Sequence, residues 1–200
     1  MKKLFITGND TDVGKTYVGS LLVTALFNAG YSCIPRKPIE TGCAEEDGQL
    51  IPEDAMIYHY ACNSSQTLDE ICPYRFRPPI SPERAIRLAG ETITIQQARD
   101  ACLPKDSADY LLVEGAGGIY SPLCSDGLNA DLAGIIKANV IIVIKDRLGC
   151  INQTLLTLEA VNRYKLNVLA IVLNQYREHE EPAMDNFEDL KDRLDPVSYT

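Results

Sequence analysis

The stretch that most constrains this chain lies at its start, Leu4-Phe5-Ile6-Thr7-Gly8-Asn9-Asp10-Thr11-Asp12-Val13-Gly14-Lys15-Thr16. Leu4 to Ile6 read as a buried strand, and Gly8 breaks it. Gly14-Lys15-Thr16 then opens a segment in which Val18, Leu21, Leu22, Ala25, Leu26 and Ala29 recur at helical spacing. They predict one buried helix face, closed by Gly30 just past its end. A strand, a glycine-bearing loop, Gly-Lys-Thr and a helix form the setting of a phosphate-binding loop. The free N–H groups and macrodipole of a helix start attract an anion, and glycine lets the backbone approach it. Lys15 would neutralise terminal phosphates and the Thr16 hydroxyl would ligate magnesium. Five residues rather than four separate Gly8 from Gly14, and Asp10 and Asp12 are unexpected in an anion cradle. The plainer alternative is an ordinary strand-to-helix turn carrying a surface lysine.

Two hundred residues suit one domain, 1–200, with a sizeable core. A net charge of −9 argues against nucleic acid or an anionic membrane as partner, so an anionic ligand needs a local positive site. No apolar run reaches the length of a membrane span and none at the start resembles a signal peptide, so a cytoplasmic location is expected. The seven cysteines are widely spaced with no Cys-x-x-Cys pair, and His59 and His179 are the only histidines. That pattern argues against zinc and for reduced, small core or near-surface residues.

Further apolar strands are expected at 31–38, 110–113, 140–144 and 168–173. Helical patterns run from Pro52, over about 82–89, 94–103 and 152–165, and again near Met184, Phe187, Leu190 and Leu194. Met56, Ile57, Tyr60 and Ala61 would support the second helix, and Leu155, Leu158 and Val161 the one at 152–165. Ile39-Glu40-Thr41-Gly42 reads as a loop, residues 43–51 are polar and acidic, and the proline-rich stretch 62–82 reads as surface wandering. Strands without polar alternation, separated by amphipathic helices, imply an α/β fold, a mostly parallel sheet with helices on both faces. Ligands bind such sheets at the carboxyl ends of the strands. Those ends carry Lys37, Glu114-Gly115-Ala116-Gly117-Gly118, Lys145 and Asn174.

Lys37 there could stabilise charge on a transferred phosphoryl group, although most lysines are simply solvated. Asp54 is a magnesium ligand or a plain first-turn acid with equal force. Glu114, an acid after an apolar strand, matches the second acidic motif of nucleoside triphosphatases. Leu148-Gly149-Cys150-Ile151-Asn152 begins a helix whose amides could hold a carboxylate, a weak signal alone. That setting could lower the Cys150 pKa, but no histidine nearby in sequence makes it a nucleophile.

Thr-Gly-Asn-Asp-Thr-Asp-Val-Gly-Lys-Thr, Lys37-Pro38-Ile39-Glu40-Thr41-Gly42, Asp54-Ala55, Ser81-Pro82, Val-Glu-Gly-Ala-Gly-Gly and Leu-Gly-Cys-Ile-Asn occur in one order from residue 4 to about 174. Together they resemble the dethiobiotin synthetase family, whose phosphate loop has the same five-residue gap. The resemblance implies a P-loop NTPase-type three-layer fold and an ATP- and Mg2+-dependent ligase. Its reaction carboxylates 7,8-diaminononanoate with CO2 or bicarbonate and closes a ureido ring, through a carbamate and a carbamic–phosphoric anhydride. The amides of Asp12, Val13, Gly14, Lys15, Thr16 and Tyr17 would then hold the triphosphate beside Gly115, Ala116 and Gly117. Thr16, Asp54 and Glu114 would hold magnesium. Lys37 and Lys15 would serve the transferred phosphoryl group, Thr11 and Thr41 would bind the carbamate or diamine, and Asp12 would position an amine. Asn174 and Gln175 fall where the family meets the base. Residues 148–152 fall where it binds the substrate's far carboxylate across a homodimer.

Asp12 stands where the family usually has glutamate, and Thr41 where serine is frequent; both keep the chemistry. Family members run on past the point equivalent to Thr200 in a segment that helps clamp the base. With Pro196 as its only candidate counterpart, weak base selectivity is expected. The alternatives are a related amidotransferase-like synthetase, which would need a glutaminase domain, and a nucleotide switch of the partitioning or iron–sulfur carrier type. Switches of that type carry a second lysine early in the loop, where this chain has Asn9 and Asp10. A homologue that binds nucleotide without turnover is a third.

Overall fold

The computed structural model describes residues 1–175 and 183–194. The chain begins β1 (Lys2–Gly8), α1 (Lys15–Asn28), β2 (Cys33–Arg36), β3 (Ile39–Thr41), β4 (Ala44–Glu46), β5 (Gln49–Ile51), α2 (Glu53–Ala61), α3 (Leu68–Ile71) and β6 (Tyr74–Phe76). It continues α4 (Pro82–Leu88), α5 (Ile95–Cys102), β7 (Tyr110–Gly118), β8 (Pro122–Cys124), β9 (Gly127–Leu128), α6 (Asn129–Ile136), β10 (Asn139–Lys145), α7 (Cys150–Arg163), β11 (Val168–Asn174) and α8 (Asn186–Lys191).

Five strands form one parallel sheet in the order β11-β10-β1-β7-β2. Side chains alternate across it, and both faces are buried. Leu4, Ile6, Leu112, Ile141 and Val143 pack with Val23 of α1 and Ala55 and Tyr58 of α2. Phe5, Leu111, Val113, Val140, Ile142 and Ile144 pack with Leu132 and Ile136 of α6 and Val161 of α7. Central strands therefore need apolar residues at every position, which explains the unbroken run Val140–Ile144. Adjacent strands β1 and β10 continue towards opposite edges of the sheet, and a crevice opens beyond their carboxyl ends.

The structure corrects several expectations. Helix α1 buries Lys15, Gly19 and Val23, with Val18, Leu22 and Leu26 packed at the side, while Leu21, Ala25 and Ala29 face outward. The phosphate loop sets this rotation. Once Lys15 points into the sheet's crevice, positions four and eight residues on must follow it inward. Helix α2 likewise buries Ala55 and Tyr58, whereas Ile57 and Tyr60 are exposed. Ile39–Thr41, expected as loop, form β3 paired with β6, and the polar stretch 43–51 contains the β4–β5 hairpin. The proline-rich stretch holds α3 and β6, which seat Ile71, Cys72 and Phe76 in the core. Helix α6 has no counterpart among the expected elements. Helix α7 buries Thr154, Thr157, Ala160 and Val161, and the two threonine hydroxyls donate to the carbonyls of Cys150 and Gln153, one turn back. Leu190 anchors α8, and Pro196 lies outside the described residues.

Candidate active site

The carboxyl edge of the sheet holds a cavity of about 520 Å³. The phosphate loop supplies Thr11, Asp12, Gly14, Lys15 and Thr16 to its wall, and the segment after β2 supplies Lys37, Glu40 and Thr41. Asp54 comes from the first turn of α2, Glu114, Ala116 and Gly117 from β7, and Lys145 from β10.

The loop's shape follows from its glycines. Gly14 has φ 90°, and Asp12 shares the left-handed region with φ 52°. At Gly8 a Cβ would come within 2.6 Å of Val13 Cγ2 and 2.7 Å of the Asp10 carbonyl oxygen, so only glycine lets the loop fold back there. No side chain among the described residues caps α1, and its first turn carries no acid. Its amide groups are thus open to an anion. Lys15 Nζ donates to the Asp10 carbonyl at 3.3 Å. Burial lowers the Lys15 pKa, a penalty that an arriving phosphate would relieve.

Beside the loop sits a compact cluster of charges. Lys37 Nζ lies 2.7 Å from Asp54 Oδ2 and in direct contact with Glu114 Oε1. Thr16 Oγ1 is 2.8 Å from Asp54 Oδ1 and 3.0 Å from Glu114 Oε1, and its single proton serves one of them at a time. Glu114 Oε2 accepts from the Tyr58 hydroxyl at 2.7 Å. Burial works against the Lys37 ammonium, but Glu114 and Asp54 outweigh it and raise the pKa above its ordinary value. Burial likewise works against the charged Asp54, yet Lys37 outweighs it and holds the carboxyl below its ordinary value. Glu40 accepts from the Asp54 amide at 2.9 Å and the Ala55 amide at 3.1 Å, capping α2 from a distant segment. Burial, reinforced by the Asp54 charge, pushes the Glu40 pKa up to about 7. Desolvation makes such a cluster a poor source of stability, so its persistence points to chemistry.

Thr16, Asp54 and Glu114 supply a hydroxyl and two carboxylates linked through one hydroxyl. Hard oxygen donors, few carboxylates and room for water suit magnesium.

The other expected residues divide. Val13 is buried under the loop, and Tyr17 is 58% exposed, outside the cavity wall. Gly115 packs against Asn129, where a Cβ would come within 2.6 Å of Oδ1. Asn174 donates to the Val13 carbonyl at 2.9 Å, tying β11 to the phosphate loop, and Gln175 is exposed just beyond it. Leu148, Gly149, Cys150, Ile151 and Asn152 stand apart from the cavity, with Leu148 89% exposed. Cys150 is buried, and burial raises its pKa, contrary to the lowering that a helix start suggests. A second cavity of about 370 Å³, lined by Asn9, Asp10, Thr11, Gln153 and Leu156 among others, lies between the phosphate loop and α7.

Glu40, Tyr58 and Asn129 do not stand out as site residues in the sequence, whereas Lys145 does so only as a strand-end residue. Tyr58 follows Asp54 by one helical turn, a spacing that could have marked it. Lys145 follows an apolar run at a strand end, a sufficient signal by itself. Glu40 carries no local signal, because its partners come from α2. Asn129 binds the Ala116 and Gly118 carbonyls and accepts from the Ala116 amide, shaping the end of β7 from α6.

A phosphate loop after the first strand of a doubly covered parallel sheet, facing an acid on the neighbouring strand, defines a P-loop NTPase-type protein. The AAA domain family matches residues 2–195. The kinase domain of Escherichia coli tyrosine kinase ETK shares the fold, with TM-score 0.50 and 14% identity over 92% of this chain and 70% of that one. Within that class, the chain belongs to the dethiobiotin synthetase family and is a ligase. It is 42% identical to the ATP-dependent dethiobiotin synthetase BioD of Vesicomyosocius okutanii subsp. Calyptogena okutanii (strain HA), over 88% of this chain and 79% of that one. Identity is 38% with the protein of that name from Ruthia magnifica subsp. Calyptogena magnifica, over 88% and 80%. It is 39% with the one from Anaeromyxobacter sp. (strain Fw109-5), over 92% and 81%.

Proposed function

We propose that this ligase uses ATP and magnesium to join CO2 to 7,8-diaminononanoate and close the ureido ring of dethiobiotin, releasing ADP and phosphate. The observation that carries the reading is Lys37, a buried ammonium fixed by Glu114 and Asp54 between the phosphate loop and the acceptor side of the cavity. One substrate amine adds to CO2 and loses a proton, giving a carbamate. A carbamate oxygen attacks the γ-phosphorus and the bond to ADP breaks. The second amine then attacks the carbonyl carbon, and phosphate leaves as the ring closes.

In this reading the amides from Asp12 to Tyr17 and the Lys15 ammonium bind the triphosphate, beside the glycines that end β7. Thr16, Asp54 and Glu114 would hold magnesium, whose charge would offset that of the phosphates. Lys37 stands where charge develops on the carbamate and the transferring phosphoryl group, and its fixed geometry spares reorganisation. Thr11 and Thr41 hydrogen-bond the carbamate or diamine, and Asp12 positions an amine. Asn174 and Gln175 lie at the base end. The start of α7, residues 148–152, receives the far carboxylate of a substrate held by the other subunit of a homodimer. Its separation from the cavity within one chain fits that arrangement. Neither nucleic acid nor membrane is a partner in this reading: the net charge is −9, and no helix among the described residues is long and apolar enough to cross a membrane. A reducing, cytoplasmic setting suits the seven free, buried cysteines.

Incubation with diaminononanoate, bicarbonate, ATP and magnesium should yield dethiobiotin by mass. No product, with basal ATP hydrolysis unaltered, would favour a nucleotide switch instead.

A further inference from the structure

Glu114 is 1% exposed, and its two carboxylate oxygens have different neighbours. Oε1 faces Lys37 and Thr16 at the cavity wall, and Oε2 points away from it to the Tyr58 hydroxyl at 2.7 Å. Tyr58 is fully buried beneath α1 and is no part of the cavity wall. Its phenol O–H is a donor that Glu114 Oε2 accepts. A carboxylate tethered at one oxygen is held against rotation, which leaves the other aimed in a single direction.

A second, independent feature shows that the fold makes room for this tether. Gly19 lies one turn beyond Lys15 on the buried side of α1 and has ordinary helical backbone. Its lack of a side chain is required by space alone. A Cβ there would overlap the Tyr58 hydroxyl and come within 2.9 Å of Cζ and 3.0 Å of Ile6 Cδ1. Glycine inside a helix is less favourable than alanine. Here that concession seats one phenol oxygen.

We infer that Tyr58 is a positioning residue for the reaction, holding Glu114 in the orientation that presents one oxygen to the metal and to Lys37, with Gly19 providing the space. The inference rests on the reading of Glu114 as a magnesium ligand. Tyr58 touches neither substrate nor nucleotide. Its effect therefore passes through Glu114, and is read in metal affinity and in the metal dependence of kcat.

The test is a titration of Mn2+ onto the protein–ADP complex, followed by the loss of the free-ion electron paramagnetic resonance signal. Tyr58→Phe keeps the ring and should weaken Mn2+ binding about tenfold, in line with the loss of a hydrogen bond to a ligating carboxylate. ADP affinity without metal and KM for the diamine should not change, and excess Mg2+ should restore kcat. Gly19→Ala should reproduce the weakening from a position that touches no ligand. Glu114→Gln should also weaken Mn2+ binding, and adding Tyr58→Phe to it should bring no further loss, because both act through one carboxylate. Wild-type Mn2+ affinity in Tyr58→Phe, with Glu114→Gln impaired, would overturn the inference and leave the magnesium reading standing. Wild-type affinity in Glu114→Gln would overturn both. Circular dichroism melting checks that each variant is folded. Should Tyr58→Phe fail to fold, the Gly19→Ala titration decides: wild-type Mn2+ affinity there overturns the inference.

Discussion

Two helices in this molecule start in the same way and end up in different surroundings. Helix α1 is entered through Gly14 at φ 90°, and α7 through Gly149 at φ 88°, neither with a side-chain cap. In both, the left-handed glycine turns the chain into the helix, but at α7 the Cys150 amide already donates to the Arg147 carbonyl at 3.1 Å. At α1 the next residue is the buried Lys15, and Lys37, Asp54 and Glu114 crowd round the same cavity. At α7 the preceding residue is Leu148, 89% exposed, and the next is the buried, apolar Cys150. One start is completed by charges from the same chain; the other faces outward without them. A helix terminus supplies only a weak field, and the residues delivered to it from other elements decide what it can do.

The largest effect should come from the completed start. Lys37→Ala leaves Glu114 and Asp54 facing each other without a counter-charge and removes a preorganised cation, so turnover should fall about a thousandfold by product mass. Loss of less than tenfold would break the contrast, since the cluster would then be ornamental.

In the proposed homodimer, the outward-facing start should matter for substrate through the partner subunit. Gly149→Asp places a negative charge and a side chain at φ 88° where the far carboxylate would bind, and should raise KM for the diamine more than it lowers kcat. Mixing this variant with Lys37→Ala and allowing subunits to exchange should regenerate about a quarter of wild-type activity, because half the dimers then own one intact site. No recovery after demonstrated exchange would place both starts in one subunit's site.

Thiol chemistry offers a smaller test. Because burial raises the Cys150 pKa, little thiolate exists at neutral pH, and alkylation of the folded protein by iodoacetamide should be at least about tenfold slower than that of free cysteine. Its rate should climb only as the pH becomes alkaline. Rapid labelling at pH 7 would show that the α7 start activates its first residue after all.

The smallest effect concerns the bridge between the two starts. Asp10 of the phosphate loop pairs with Arg147 before α7 at 3.3 Å, both about half exposed. Exposed pairs contribute about 0–1 kcal/mol, so Arg147→Ala should shift the thermal midpoint little, and less still in high salt. A large loss of stability would mean that the two starts are mechanically coupled.

The phosphate loop is legible in the sequence because its chemistry is local. Gly8, Gly14, Lys15 and Thr16 each act within a few residues of their own position, and the apolar runs at 4–6 and 140–144 announce strands buried on both faces. Lys37, Asp54 and Glu114 are legible as strand-end and helix-start residues, though their union is not. The helix faces were less so. Leu21 and Ala25 satisfy the helical period yet point outward, because the loop fixed the rotation of α1 before its apolar residues could choose.

What the sequence determines by itself is the parallel α/β scaffold, the anion cradle and the residue types that meet at the carboxyl edge, all set by short-range geometry and periodicity. Only the tertiary structure decides that Glu40 caps a helix that begins 13 residues later, that Tyr58 tethers Glu114, and that Gly19 exists to make room for it. Those relations join residues 14 to 56 positions apart, and only packing brings such distant atoms into contact.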